Sequence, residues 1–290
     1  MATYPLTWDN VGEKIYETGT DHAVVYPFDD TNKVYGNGVA WNGITGFTDS
    51  PSGADETALW ADNIKYAAMR AAEEYGGTIT CYTYPDEFAE CDGSAFVMTS
   101  GADPVKTGIS LGQQKRKTFG LTVRTLVGND TSGNDYGYKL HLVYGASVSP
   151  SDKDYSSVND SPDAIEFSYE FTTTPVPVGT AFKPTAHITL DTTKMDTTAL
   201  GHLKELEDIL YGVSSTGYSK VTSATAPADW PTTGSSDKYY KKSGGTYTAV
   251  TSSDVYAPNT YYEKGAAARI PSPAEVITLF GGSPDTVAAG

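Results

Sequence analysis

The sequence predicts a mainly β body with flanking α-helices and a small inserted β module, on three observations. Several segments alternate apolar and polar residues with period 2, two others carry apolar residues at helical spacing between recognisable caps, and one stretch between those helices repeats itself. At 290 residues, 39% hydrophobic and 12% aromatic, the chain can bury one large domain with something smaller beside it.

In chain order, the first patterned segment is Asp55 to Tyr75, DETALWADNIKYAAMRAAEEY. Its alanines favour helix, while Asp62-Asn63 equally fits a turn between strands at 57–61 and 64–70; the residues alone leave both open. A strand is expected over Ile79 to Tyr84. It leads into TYPDEFAECDG at 83–93, where Pro85 suits the first turn of a short helix, Asp86 and Glu87 complement its positive end, Phe88 anchors it and Asp92-Gly93 stops it.

Phe119, Leu121, Val123 and Val127 then alternate with polar neighbours, as do Tyr138, Leu140, Leu142 and Tyr144 with Lys139, His141 and Val143. Ile165, Phe167, Tyr169 and Phe171 alternate with Glu166, Ser168 and Glu170, and Ala186 to Leu190 completes the expected strands. The polar stretches 128–137 and 147–163 read as long connections.

Leu200, Leu203, Leu206, Ile209 and Leu210 form a helical stripe that Gly212 is placed to end. Ser272-Pro273-Ala274-Glu275 joins a capping box to a proline at the first helical position, ahead of Val276, Ile277 and Phe280. The expected main domain is therefore 1–216, completed by the helical segment 265–290. Between these lies 217–264, near neutral with five Lys/Arg and four Asp/Glu, and holding seven of the 21 tyrosines. Tyr218-Ser219-Lys220-Val221-Thr222-Ser223 followed by Tyr239-Tyr240 is echoed by Tyr247-Thr248-Ala249-Val250-Thr251-Ser252 followed by Tyr261-Tyr262. Two similar β units joined through Ser243-Gly244-Gly245 imply a module inserted in a surface loop, where closure entropy grows only slowly with length.

Charge narrows the function. The formal net charge is −16, and the first hundred residues hold sixteen Asp/Glu against four Lys/Arg, which excludes conventional phosphate neutralisation. The one dense basic run, Lys115-Arg116-Lys117, reads as a solvated strand entry. MATYPLTWDN lacks the charged and apolar regions of a secretion signal, so the chain is expected not to be exported or membrane-bound, and Asn129-Asp130-Thr131 and Asn159-Asp160-Ser161 carry little weight as glycosylation sites.

Chemistry is sparse. Two cysteines, Cys81 and Cys91, make no disulfide framework and lack two further soft ligands nearby for zinc. His22, His141, His187 and His202 are scattered, each expected to be structural or solvated. No nucleophile elbow or phosphate-binding loop appears, and paired carboxylates such as Asp29-Asp30 or Glu73-Glu74 point to opposite faces if extended. No enzyme activity, cofactor or metal is expected.

The stretch Tyr84-Pro85-Asp86-Glu87-Phe88-x-x-Cys91-x-Gly93, preceded by Ala61-Asp62-Asn63-x-x-Tyr66 and Gly77-Thr78-Ile79, resembles the major tail protein of long-tailed bacteriophages with Gram-positive-type hosts. The likeness continues through Gly137 to Tyr144, Asn159-Asp160-Ser161-Pro162, Phe167 to Pro175 and Ile270 to Ile277. It spans roughly 5–212 and 267–281 in order, with 217–264 outside it.

The resemblance implies a tail-tube β-sandwich or barrel subunit, six to a ring, with rings stacked into a channel that conducts the genome. It implies a virion-tail location after assembly in the host bacterial cytoplasm, and partners in further copies of itself, a tape-measure protein, baseplate or tail-tip proteins and a tail terminator. Double-stranded DNA would be transiting cargo, not a bound ligand, and no membrane is involved. It also favours the Asp62-Asn63 hairpin and gives the acidity a use, since like charge opposes adhesion of DNA over about 8 Å at physiological salt.

The candidate channel-facing residues are Glu166, Ser168 and Glu170, with an outer solvated face as the other possibility. The competing reading is a surface or cell-wall glycan-binding protein acting through Trp230, Tyr240, Tyr247 and Tyr262, with Tyr239 and Tyr261. In so small a module those aromatics also serve as the obvious core.

Overall fold

The computed structural model describes residues 6–53, 55–155, 157 and 163–286. Fifteen strands precede the first long helix: β1 (Ile15–Asp29), β2 (Val34–Tyr35), β3 (Val39–Trp41), β4 (Ile44–Asp49), β5 (Ser52–Gly53), β6 (Glu56–Ala61), β7 (Ile64–Arg70), β8 (Glu73–Glu74), β9 (Gly76–Cys81), β10 (Ala95–Met98), β11 (Lys106–Leu111), β12 (Phe119–Asn129), β13 (Gly133–Val148), β14 (Phe167–Thr173) and β15 (His187–Asp191). Then come α1 (Thr197–Leu210), β16 (Tyr218–Lys220), β17 (Ser235–Ser243), β18 (Thr246–Thr251), β19 (Tyr261–Lys264) and α2 (Pro273–Leu279).

Nine strands form one antiparallel sheet in the order β2-β1-β12-β13-β14-β9-β4, with β3 also on β1 and β15 also on β13. The sheet turns back on itself at β13. Residues 139–143 of that strand pair with β15, whereas 146–148 pair with β14. Gly145 stands between the two halves at φ +60°, and a Cβ there would lie 2.2 Å from the Thr174 carbonyl oxygen, so the bend requires glycine. Beyond the bend, β14, β9 and β4 close over β1, β12 and β13.

The space between is filled by Val25, Trp41, Ile79, Phe88, Phe119, Leu121, Val123, Val143, Tyr169 and Phe171. The opposite face of the main sheet is buried too. Val24, Tyr26, Leu140, Leu142 and Tyr144 pack there under Leu203, Leu206, Ile209 and Leu210 of α1 and Val276 and Leu279 of α2. Three tyrosine hydroxyls pin this layer: Tyr26 donates to the Leu210 carbonyl at 2.7 Å, Tyr138 to Glu207 at 2.6 Å and Tyr144 to the Pro271 carbonyl at 3.0 Å. Each gives a buried or half-buried phenol its partner while tying a strand to α1 or to the segment leading into the last helix.

The helices follow their sequence signals. Asp196 caps α1 by accepting from the Ala199 amide, Gly212 follows it at φ +74°, and Ser272 with Glu275 forms the full capping box of α2. Leu200, placed in the buried stripe by its spacing, is instead 42% exposed, since the four leucine and isoleucine residues after it already cover the sheet.

Three expectations are corrected or decided. Within 55–75 the chain forms strands at Glu56–Ala61, Ile64–Arg70 and Glu73–Glu74 and no helix, with Asp62 at φ +51° and Asn63 at φ +64° making the two-residue turn that such hairpins favour. The stretch 128–137 is no long loop: β12 runs into it and β13 starts at Gly133, because the Asn129 side chain accepts from the Thr131 and Ser132 amides and tightens the reversal. In the opening motif Pro85 precedes, not begins, a single 3-10 turn over Asp86–Glu90 that holds Phe88 fully buried. Residues 158–162, which carry one sequon and part of the expected connection, lie outside the described residues.

Residues 218–264 carry a separate four-stranded sheet in the order β16-β19-β17-β18. Its repeats interleave: the first strand of each pairs with the second strand of the other, and the two second strands, β17 and β19, lie at the centre. Equivalent residues consequently do equivalent work. Val221 and Val250 are buried together with Tyr239 and Tyr261, while Tyr218 and Tyr247 stack on each other with ring centroids 3.8 Å apart.

Candidate functional site

The alternating strand β14 puts Phe167, Tyr169 and Phe171 toward the core and Ser168 and Glu170 outward, with Glu166 exposed just before the strand. Register places Ser168 beside Thr80 and Glu170 beside Thr78, and Thr48 of β4 follows Thr78 across the same face. Thr45 Oγ1 lies 3.0 Å from Thr80 Oγ1 and also hydrogen-bonds the Glu166 carboxylate. The three candidate residues thus share one hydroxyl-rich face, and neither glutamate has an ion-pair partner among the described residues.

The same small layer grows outward. Past Asp49 and before Gly76, β4 and β9 continue as a ribbon in which β5 pairs with β8 and β6 with β7, ending at the Asp62-Asn63 turn. The strands β5 and β6 alone give it a reach of roughly 27 Å. Among the described residues the ribbon has no third strand and no layer of its own over it, yet it is apolar: Trp60 is 70% exposed and Tyr66 73%, with Leu59, Ile64 and Met69 also in the open. Cross-strand partners share a face, so Leu59 and Met69 lie on one side beside Ala67 and Thr57, while a register shift after Leu59 re-aims the end of the ribbon that carries Ile64 and Tyr66. A second hairpin, β10 with β11, exposes Met98, Ile109 and Leu111.

In the module the aromatic candidates separate. Trp230 packs into its core against Tyr239, Tyr256 and Tyr261 at centroid distances of 5.3, 5.0 and 4.8 Å, its indole N–H directed at the Asp254 carbonyl. A half-buried ring so enclosed, like the buried Tyr239 and Tyr261, offers no stacking platform to a glycan. Tyr240, Tyr247 and Tyr262 occupy the other face with Tyr218, all half-buried, and the Lys242 ammonium lies 5.3 and 5.6 Å from the Tyr247 and Tyr262 rings.

The module is fixed to the body at its exit. Thr222, itself buried, donates to Glu275 at 2.9 Å, Arg269 pairs with the same carboxylate at 3.3 Å, and the Ser272 amide donates to it at 2.8 Å. Burial pushes the Glu275 carboxyl up, but the Arg269 charge and these donors outweigh it and hold the group below its ordinary 4.5. A depressed folded value means stabilisation that is complete above the ordinary value and lost as pH falls through the depressed one. Glu275→Gln is therefore expected to cost about 1–3 kcal/mol at neutral pH and to flatten the acid limb of stability. Thermal melts of both proteins between about pH 7 and pH 3 measure this.

Two expectations about reactive groups meet different outcomes. Cys81 and Cys91 are free and buried, and burial raises their thiols to about 11 and about 12, so neither is poised as a nucleophile. The histidines are not all scattered. His141 on β13 and His187 on β15 face each other with Nδ1 and Nε2 3.3 Å apart and rings parallel, and the Asp49 carboxylate approaches from the end of β4. Burial holds both imidazoles below their ordinary value and thus neutral. Sequence spacing carries no trace of this group, because the three residues come from strands brought together only by closure of the sheet.

No protein-family model matches the chain, and no curated protein matches it. Among the described residues no helix is long and apolar enough to cross a membrane.

Proposed function

We propose that this chain is the subunit of a bacteriophage tail tube, a structural protein that builds rings from copies of itself and stacks them into a conduit for DNA. The observation that carries this reading is the β4–β9 ribbon. A two-stranded ribbon is marginal alone in water, and exposed apolar surface of this extent marks a protein contact. Copies of the same chain are the economical partner, because a ribbon continuing a sheet edge extends the sheet into a neighbour and pairs edges that would otherwise promote aggregation. The acidic face of Glu166, Ser168 and Glu170, on the same layer, is then the candidate channel wall, repelling the transiting duplex.

In this reading 217–264 decorates the exterior. The chain enters and leaves the module side by side, with the Val213 amide donating to the Ala266 carbonyl at 2.9 Å and the Gly265 amide to the Gly217 carbonyl at 3.1 Å. The tyrosine face of Tyr218, Tyr240, Tyr247 and Tyr262 supports a second reading, contact with surface or cell-wall glycans, which coexists with the first.

Negative-stain electron microscopy of the full chain across a concentration series tests the proposal, with a deletion of 217–264 alongside. Rings or stacked tubes with a central hole are expected from both proteins, and on the second reading glycan binding only from the full chain. Monomers at every concentration, with and without tail-tip extract to seed growth, would overturn the tube.

A further inference from the structure

We propose that Asp49, His141 and His187 form a binding site for a divalent transition-metal ion of the zinc class, joining the edge strand β4 to the β13–β15 pair. One ligand atom from each residue lies within 4.8 Å of the other two. The two nitrogens stand 3.3 Å apart. Zinc binds imidazole nitrogen at about 2.0–2.1 Å, so two corners of a tetrahedron are separated by about 3.3–3.4 Å, and the observed spacing already matches. Asp49 is exposed at a strand end, and its carboxylate, which accepts from the Tyr75 hydroxyl, has only the remaining distance to close.

The surroundings suit a cation. His141 Nε2 lies 2.9 Å from Thr125 Oγ1, and with its proton given to that hydroxyl the Nδ1 lone pair points at His187. Two nitrogens at this distance share a proton along the line between them or a cation displaced to one side of it, since an ion bound at about 2.0–2.1 Å from both cannot lie on that line. A hydrogen bond between the imidazoles would fill the gap without the carboxylate; the presence of Asp49 within 4.8 Å of both favours the cation.

Tyr75 orders the remaining side. Its ring stacks on His187 with centroids 4.5 Å apart and 13° between planes, and its hydroxyl donates to Asp49. Phe47 lies 5.7 Å from the His141 ring, so aromatic walls keep water off two sides. Two neutral nitrogens and one carboxylate leave a fourth position for water, which Thr189 Oγ1, 3.2 Å from His187 Nε2, is near enough to hydrogen-bond.

The test is titration of the full chain, first stripped with EDTA, with Co2+ read by visible absorption and with Zn2+ read by competition and thermal melting. One equivalent of Co2+ per chain with a tetrahedral spectrum is expected, together with a higher Tm in Zn2+. Asp49→Asn and His187→Gln, each verified as folded by circular dichroism, are expected to weaken binding at least about tenfold. Absence of stoichiometric binding by the native chain would overturn the site and leave a histidine pair held by its own hydrogen bond. Binding unchanged in both folded variants would overturn it equally.

Discussion

The double substitution Trp60→Asp with Tyr66→Asp is expected to give a folded protein that no longer assembles. Both side chains are more than two-thirds exposed and sit on a ribbon that contributes nothing to the core, so each change should alter subunit stability by no more than about 0.5 kcal/mol. In an assembly the same residues are desolvated aromatic anchors, worth about 2 kcal/mol or more each. Together they should weaken association about a thousandfold, beyond the concentration range of the electron-microscopy series. Sedimentation of the variant beside the native chain, with matched circular dichroism melts, reads both halves. Tubes formed normally by the variant would remove the ribbon from the subunit contacts.

Phe88→Ala is expected to have the largest effect on folding, about 3–5 kcal/mol. Phe88 is fully buried, with ring centroids 4.3 Å from Trp41, 5.0 Å from Tyr169 and 5.5 Å from Phe119. These rings come from the main sheet and from the layer that folds over it, so the lost side chain leaves a cavity that neither layer can close alone. Set against the roughly 5–15 kcal/mol that stabilises ordinary domains, the loss is a large share. Urea unfolding followed by tryptophan fluorescence measures it, Trp41 being the reporter in contact. A cost under about 1 kcal/mol would mean that the 3-10 turn does not tie the layers together.

Sequence revealed those parts of the fold where only one face of a strand is buried or where a cap announces itself. Phe167, Tyr169 and Phe171 alternate cleanly because their strand has one solvated face, and Ser272 with Glu275 spells out the start of α2. Strand β1 gives no such sign. Its Val24, Val25 and Tyr26 are all buried, since core lies on both sides of the sheet there, and its pairing is shifted beside Gly19 and His22, both at positive φ. Burial on two faces erases the alternation that periodicity detects.

The candidate surfaces divide along the same line. Glu166, Ser168 and Glu170 were legible as one polar face because neighbours two apart on a strand share a side. The fate of Trp230 was not, as a loop tryptophan reads alike whether it stacks on a ligand or on Tyr239. Asp49, His141 and His187 meet through the pairing of β13 with β15 and the return of β4 across them, a long-range product of topology that no local spacing encodes.

The interleaved repeats of the module bear on how it is made. Strands β16 and β17 belong to one repeat but are not neighbours, each relying on a strand from the other repeat. A ribosome that has released only 218–243 has therefore delivered no complete pair; the β17–β18 hairpin can close once Thr251 has emerged, but β16 gains its partner only with Lys264. One repeat alone holds no strand pair, so the module has the pairing logic of a two-fold dimer carried on one polypeptide.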